Sequence, residues 1–224
     1  MPNAHDAAAI LTGDLIGSTR AAPADLETAI DVLAATAGEI AAWMPGAPAR
    51  DPRFTRYRGD GWQMQVADPA LALRALLFLI ARLRAADIGL GTRAAIGIGA
   101  IASLGTDSLA DARGPAFEAS GRALDAIGRT RRLAIEGNGV TPWQRIIVDL
   151  LDERSARWTR QQAEAMHLAL ALRPPDLRSD EPTLAEMAAT LDITAQAVNY
   201  RLTGAGAPAI RRTLRSWEEA FGDA

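Results

Sequence analysis

Two apolar, strand-like runs in this chain each end at a single carboxylate beside glycine. A fold that uses both must bring those two strand ends together. The first run, Ala7 to Ile16, carries Thr12-Gly13-Asp14-Leu15-Ile16-Gly17-Ser18-Thr19 at its end. The second carboxylate is Asp60, in Arg58-Gly59-Asp60-Gly61-Trp62. Strand-like residues flank that motif, so it reads as the tip of a hairpin. Two carboxylates at one place can hold a divalent cation such as Mg²⁺ or Mn²⁺. The glycines beside them let backbone N–H groups approach a phosphate closely.

The rest of the chain supplies elements around these two ends. Pro23 opens a helix with Leu26, Ile30, Leu33, Ala37, Ile40 and Trp43 at helical spacing, and Pro45-Gly46-Ala47-Pro48 ends it. Arg53 to Tyr57 and Trp62 to Ala67 form the hairpin strands. Asp68-Pro69 starts a helix through Leu83 that is apolar almost all round, hence buried. Gly91 to Ile101 reads as a strand, Pro115 to Gly128 as a helix and Arg132 to Ile135 as a short strand. The order β-α-β-β-α-β-α-β resembles a ferredoxin-like α/β sandwich with extra elements. From Pro142 onward the chain is helical: Trp143 to Arg173 as one or two helices, a stop at Pro174-Pro175, and a polar linker over Arg178 to Pro182. Thr183 to Phe221 is a further helical unit. The expected fold class is α+β, with a domain over residues 1–140, a helical connector over 141–175 and an all-helical domain over 176–224.

Charge and composition narrow the chemistry. The net charge of -3 carries no global basic signature, so any nucleic-acid contact must be local. All 24 basic residues are arginine, so no lysine can act as phosphate clamp, Schiff base or general base. The absence of cysteine excludes disulfides and thiolate metal sites and fits a reducing, cytoplasmic setting. Met1 to Ala9 has no signal-peptide pattern. The longest apolar run, Ala75 to Ala81, is far below a membrane span, so no membrane partner is expected. His5 and His167 lack metal-ligand neighbours in sequence.

The strand-end Asp with its Gly-Ser-Thr turn, the hairpin Gly-Asp, and Asp111-Ala112-Arg113-Gly114-Pro115 followed by Arg122 resemble class III nucleotide cyclase domains over roughly residues 8 to 135. More closely, the whole chain is similar to the SatD family of small bacterial proteins. The resemblance implies that Asp14 and Asp60 bind metal, and that Leu15, Gly17, Ser18 and Thr19 hold phosphates. It further implies that Arg56 and Asp111 contact the base. Arg122 would stabilise the developing phosphoryl charge, making Asp14, Asp60 and Arg122 the catalytic set. Glu118 stands where the family places a ribose-orienting Asn. In such domains the site forms between two subunits, which implies a homodimer. Physical chemistry agrees: metals on two carboxylates would activate the 3′-hydroxyl and neutralise the α-phosphate of a nucleoside triphosphate, and an arginine would stabilise the extra charge.

The C-terminal unit, Leu184 to Leu202, fits a helix-turn-helix. Leu184, Leu191, Ile193, Val198 and Leu202 fall at core positions, and the small Ala188 allows the helices to cross closely. Asp192 occupies the turn and tolerates a left-handed conformation; Thr194 caps the second helix. That helix would present Gln196, Asn199, Tyr200 and Arg201 to double-stranded DNA. From Thr194 to Trp217 there are four arginines, Arg201, Arg211, Arg212 and Arg215, and no acidic residue. Three functions are open at this point. One is a nucleotide-responsive DNA-binding regulator with a degenerate cyclase-like domain. Another is a metal-dependent nucleotidyl cyclase or phosphotransfer enzyme. The third is an interaction module with a vestigial site.

Overall fold

The computed structural model describes residues 7–43, 53–57, 59–106, 108–173 and 182–222. The Pro45–Pro48 break, Arg58, His5, Pro174-Pro175 and most of the polar linker lie outside them. The chain is a mixed α+β protein. Among the described residues, one five-stranded sheet has the order β2-β3-β1-β4-β5. The strands are β1 (Ala7–Ile16), β2 (Phe54–Tyr57), β3 (Gly61–Val66), β4 (Gly91–Ala100) and β5 (Leu133–Gly137). β1 runs antiparallel to both β3 and β4, β2 is antiparallel to β3, and β5 joins the edge parallel to β4.

One face of the sheet is covered by α1 (Pro23–Ala41) and α2 (Ala72–Ala85). Ala9, Leu11 and Leu15 of β1 alternate onto this face, with Trp62, Met64 and Val66 of β3 and Ala94, Ile96 and Ile98 of β4. Asp68 accepts the Ala70 N–H and opens a 3₁₀ turn, Pro69–Leu71, ahead of α2. α2 is buried almost all round, as its composition predicts, because the sheet lies under it and later helices lie over it. Each fully buried Leu or Phe there contributes about 1.5–3 kcal/mol.

The opposite face carries α3 (Pro115–Asp125). Its contact is made mostly of small residues: Ala95 and Ala134 from the sheet against Ala123 of α3 and Ile127 just beyond its end. Gly97 makes this approach possible, since a Cβ there would collide with the Ala116 carbonyl and the Ser120 N–H.

The region after β5 is helical, and the 143–173 stretch is two helices, α4 (Pro142–Ala156) and α5 (Arg160–Leu170), each opened by a capping box, Thr141/Gln144 and Thr159/Gln162. The final unit is three helices, α6 (Leu184–Leu191), α7 (Ala195–Ala205) and α8 (Ala207–Gly222). Asp192 takes the left-handed conformation between α6 and α7, with φ 52° and ψ 47°. Ala188, Val198 and Leu202 are buried as expected, and Leu191 and Ile193 are half-buried against the core. Leu184 departs from the expectation. It is the first residue of α6, directly after the Thr183 cap, and its side chain is exposed.

The hydrophobic core does not stop at the end of the sheet domain. One contiguous cluster runs from Leu11 in β1 through α2 and α5 to Val198, Ile210 and Trp217. Arg74 of α2 is 9% exposed and donates to both carboxylate oxygens of Glu218 in α8, at 2.6 and 3.0 Å. No helix among the described residues is long and apolar enough to cross a membrane.

Candidate functional site

Asp14 leaves β1 on the α3 side of the sheet. The strand alternation fixes this direction, because Leu11 and Leu15 enter the main core and Thr12 turns the other way. Thr12 Oγ1 lies 2.7 Å from Ser120 Oγ of α3 and accepts from Gln63 at 2.9 Å. The antiparallel register sets Arg93 of β4 directly across from Asp14. Arg93 donates from Nε to Asp14 Oδ1 at 3.0 Å and from a terminal nitrogen to Asp14 Oδ2. Both carboxylate oxygens are therefore occupied by one planar guanidinium, the strong two-point pairing that arginine favours. These hydrogen bonds raise the Arg93 pKa above its ordinary value against a desolvation penalty, with further help from the charges of Asp14, Asp60 and Asp125.

Asp60 is held beside this pair. Its backbone carbonyl accepts the Leu15 N–H at 3.2 Å. Its carboxylate accepts the Ser18 hydroxyl. Gly17 makes the second contact possible: at φ 93° it reverses the chain after β1 and leads into the 3₁₀ turn Ser18–Arg20. The fold thus brings Asp14, Leu15, Gly17, Ser18 and Asp60 to one place, with Thr19 exposed in the same turn.

Other expected site residues lie elsewhere. Arg56 pairs across the hairpin with Trp62, on the α1 side of the sheet, opposite to Asp14. Its guanidinium donates to both Glu27 oxygens of α1 at 2.9 Å and to the Gly59 carbonyl at 2.7 Å. Asp111 sits in a loop that docks on β2, where the Leu109 N–H donates to Thr55 Oγ1 at 2.9 Å; its carboxylate folds over Gly105. Arg122 projects from α3 into solvent, 69% exposed and 3.6 Å from Glu118. In one chain neither Asp111 nor Arg122 makes a hydrogen bond or ion pair to Asp14 or Asp60.

Arg93 is the residue that sequence reasoning missed. Its signal was present: it is the one charged residue in β4, a strand otherwise made of glycine, alanine, isoleucine and threonine. No local motif marks it, because its partner lies 79 positions away.

Asp14, Asp60 and the Leu15 carbonyl are hard oxygen donors suited to a divalent cation. As folded, however, the Arg93 guanidinium engages both oxygens of Asp14, and the Ser18 hydroxyl engages one oxygen of Asp60. Among the described residues no three His, Asp or Glu side chains gather where a metal could sit. A guanidinium stands where the divalent ion was expected, and this arrangement does not fit one.

The second candidate surface is α7. Gln196, Asn199 and Tyr200 are exposed on its outer side, Tyr200 to 82%. Arg201 turns inward instead and pairs with Glu164 of α5 at 2.9 Å. Arg212 and Arg215 of α8 are exposed.

No protein-family model matches this chain, and no curated protein matches its sequence.

Proposed function

We propose that the protein is a DNA-binding regulator that responds to a nucleotide. The observation that carries this reading is the outer face of α7. It presents Gln196, Asn199 and Tyr200 on a helix that follows a tight left-handed turn and a Thr194 cap. This is the layout of a helix-turn-helix recognition element. Gln and Asn pair with adenine edges, while Tyr reaches phosphate. The exposed Arg212 and Arg215 supply local positive charge on a chain of negative net charge.

The strand order β2-β3-β1-β4, with Asp14 and Asp60 meeting at one end, supports a ferredoxin-like, nucleotide cyclase-like domain of the SatD type. Its phosphate turn, Gly17-Ser18-Thr19, is the natural place for a nucleotide. A homodimer would complete the pocket by setting Asp14 and Asp60 of one protomer against Asp111 and Arg122 of the partner subunit. It would also offer two α7 helices to a two-fold DNA site.

Fluorescence anisotropy with a random-sequence duplex pool tests the DNA half. Salt-sensitive binding, weakened about tenfold or more by Asn199→Ala with Tyr200→Ala, is expected, since each lost base or phosphate contact costs about 1–3 kcal/mol. Undiminished binding in that variant, or none in the parent, overturns the assignment to α7. A second reading, a nucleotidyl cyclase, is favoured by the closeness of Asp14 and Asp60. Pyrophosphate release from ATP or GTP, abolished by Asp14→Ala, would promote it.

A further inference from the structure

We propose that Arg93 decides what the strand-end site accepts: its guanidinium holds Asp14 in place of a divalent metal, and the site takes up such an ion only when Arg93 is displaced. This rests on reading that cluster as the nucleotide site and specifies how it is controlled.

Three facts carry the inference. Arg93 makes its two-point bond to Asp14 and to no other carboxylate, so it competes for the same two oxygens that a metal would need. The surroundings are acidic: Asp14, Asp60 and Asp125 all act on this one guanidinium. Removing it would leave the Asp14 carboxylate unpaired beside Asp60, a concentration of negative charge that favours a cation from solvent. Finally, the two partners differ in freedom. Asp14 is fixed on a central strand and 26% exposed, whereas Arg93 is 39% exposed on a flexible stem. Displacement therefore needs only a side-chain rotation toward solvent, with no opening of the core.

Competition of this kind has a sign. Ligands that share one site exclude each other, so deleting the internal cation raises affinity for the external one. Arginine has five N–H donors, and Asp14 uses two of them. A phosphate approaching the remaining three would pull Arg93 toward itself and release Asp14.

The test is titration with Mn²⁺ alone, read by electron paramagnetic resonance of the free ion. The proteins are the parent chain, Arg93→Ala, Arg93→Gln, Arg93→Lys and Arg93→Ala with Asp14→Ala. Weak Mn²⁺ binding by the parent and by Arg93→Lys is expected. Arg93→Ala and Arg93→Gln should each gain tenfold or more, and the gain should vanish when Asp14 is also removed. Circular dichroism identifies which variants are folded; Arg93→Gln keeps the side-chain volume and serves if Arg93→Ala does not fold. Equal Mn²⁺ affinity in the parent and Arg93→Gln overturns the proposal, as does a gain that survives loss of Asp14. Failure of nucleotides to bind would overturn the nucleotide reading alone and leave the Mn²⁺ comparison intact.

Discussion

Gly13 has no side chain because the indole of Trp62 lies across it. A Cβ at Gly13 would run into the Trp62 ring and lie 2.5 Å from the Arg93 carbonyl. Trp62 cannot retreat, since it is fully buried and its N–H donates to Thr92 Oγ1 at 3.0 Å. Gly13→Ala should therefore destabilise the fold by about 1–3 kcal/mol, the usual cost of overpacking, visible as a lower midpoint in thermal unfolding. From the sequence this glycine reads as part of a phosphate motif. Its packing role depends on a partner 49 residues away, which no local pattern reveals. The same holds for Arg93. Asp14, Ser18 and Asp60 come together because their motifs are contiguous, whereas strand alternation sends Arg56 to the α1 face, onto Glu27.

His167 sets a pH dependence. Burial, with the nearby Arg82 charge, pushes its pKa down to about 4. The unfolded chain binds the proton more tightly, near the ordinary value of about 6.5. Stability is therefore full above about pH 6.5 and falls as the pH drops from there toward 4, by about 3 kcal/mol in all. His167→Leu should flatten that part of the stability–pH curve measured by urea unfolding. An unchanged slope would show that His167 is not the group responsible.

At the scale of elements, the turn between α6 and α7 is the informative case. Asp192 sits at φ 52°, where a side chain is strained and glycine is not. Asp192→Gly should stabilise the protein by about 1 kcal/mol and leave α7 in place, whereas Asp192→Val should destabilise it; differential scanning calorimetry reads both. Most helices and strands were legible because apolar spacing and end signals agree. The break between α4 and α5 has its own signal in Thr159-Arg160-Gln161-Gln162, a capping box inside an otherwise helical stretch. Leu184 shows where spacing misleads. The apolar period assigns it to the core, yet a residue in the first turn of a short helix, just past its cap, reaches solvent.

At the scale of the molecule, one contiguous cluster of buried residues joins the sheet to the helices that follow it. Composition changes at the polar linker; the packing of α5 on α2 and of α8 on Pro69–Leu71 is long-range and leaves no local trace. The Arg74–Glu218 pair fastens α8 to α2, and with Arg74 nearly buried, removing its partner strands a charge. Glu218→Ala should cost about 3 kcal/mol, and the parent should unfold in one transition by circular dichroism and tryptophan fluorescence alike. Two separated transitions would show that the C-terminal helices fold independently. The cluster of buried residues runs from β1 to α7 through α2 and α5.

The most direct measurement is the affinity of the full chain for duplex DNA with and without ATP or GTP, in the parent and in Asp60→Ala. The account predicts that one of these nucleotides shifts the parent's DNA affinity by about fivefold or more, the range of ordinary coupling energies. It predicts that Asp60→Ala binds DNA but loses the shift. DNA binding that ignores both nucleotides, or no DNA binding at all, would contradict it.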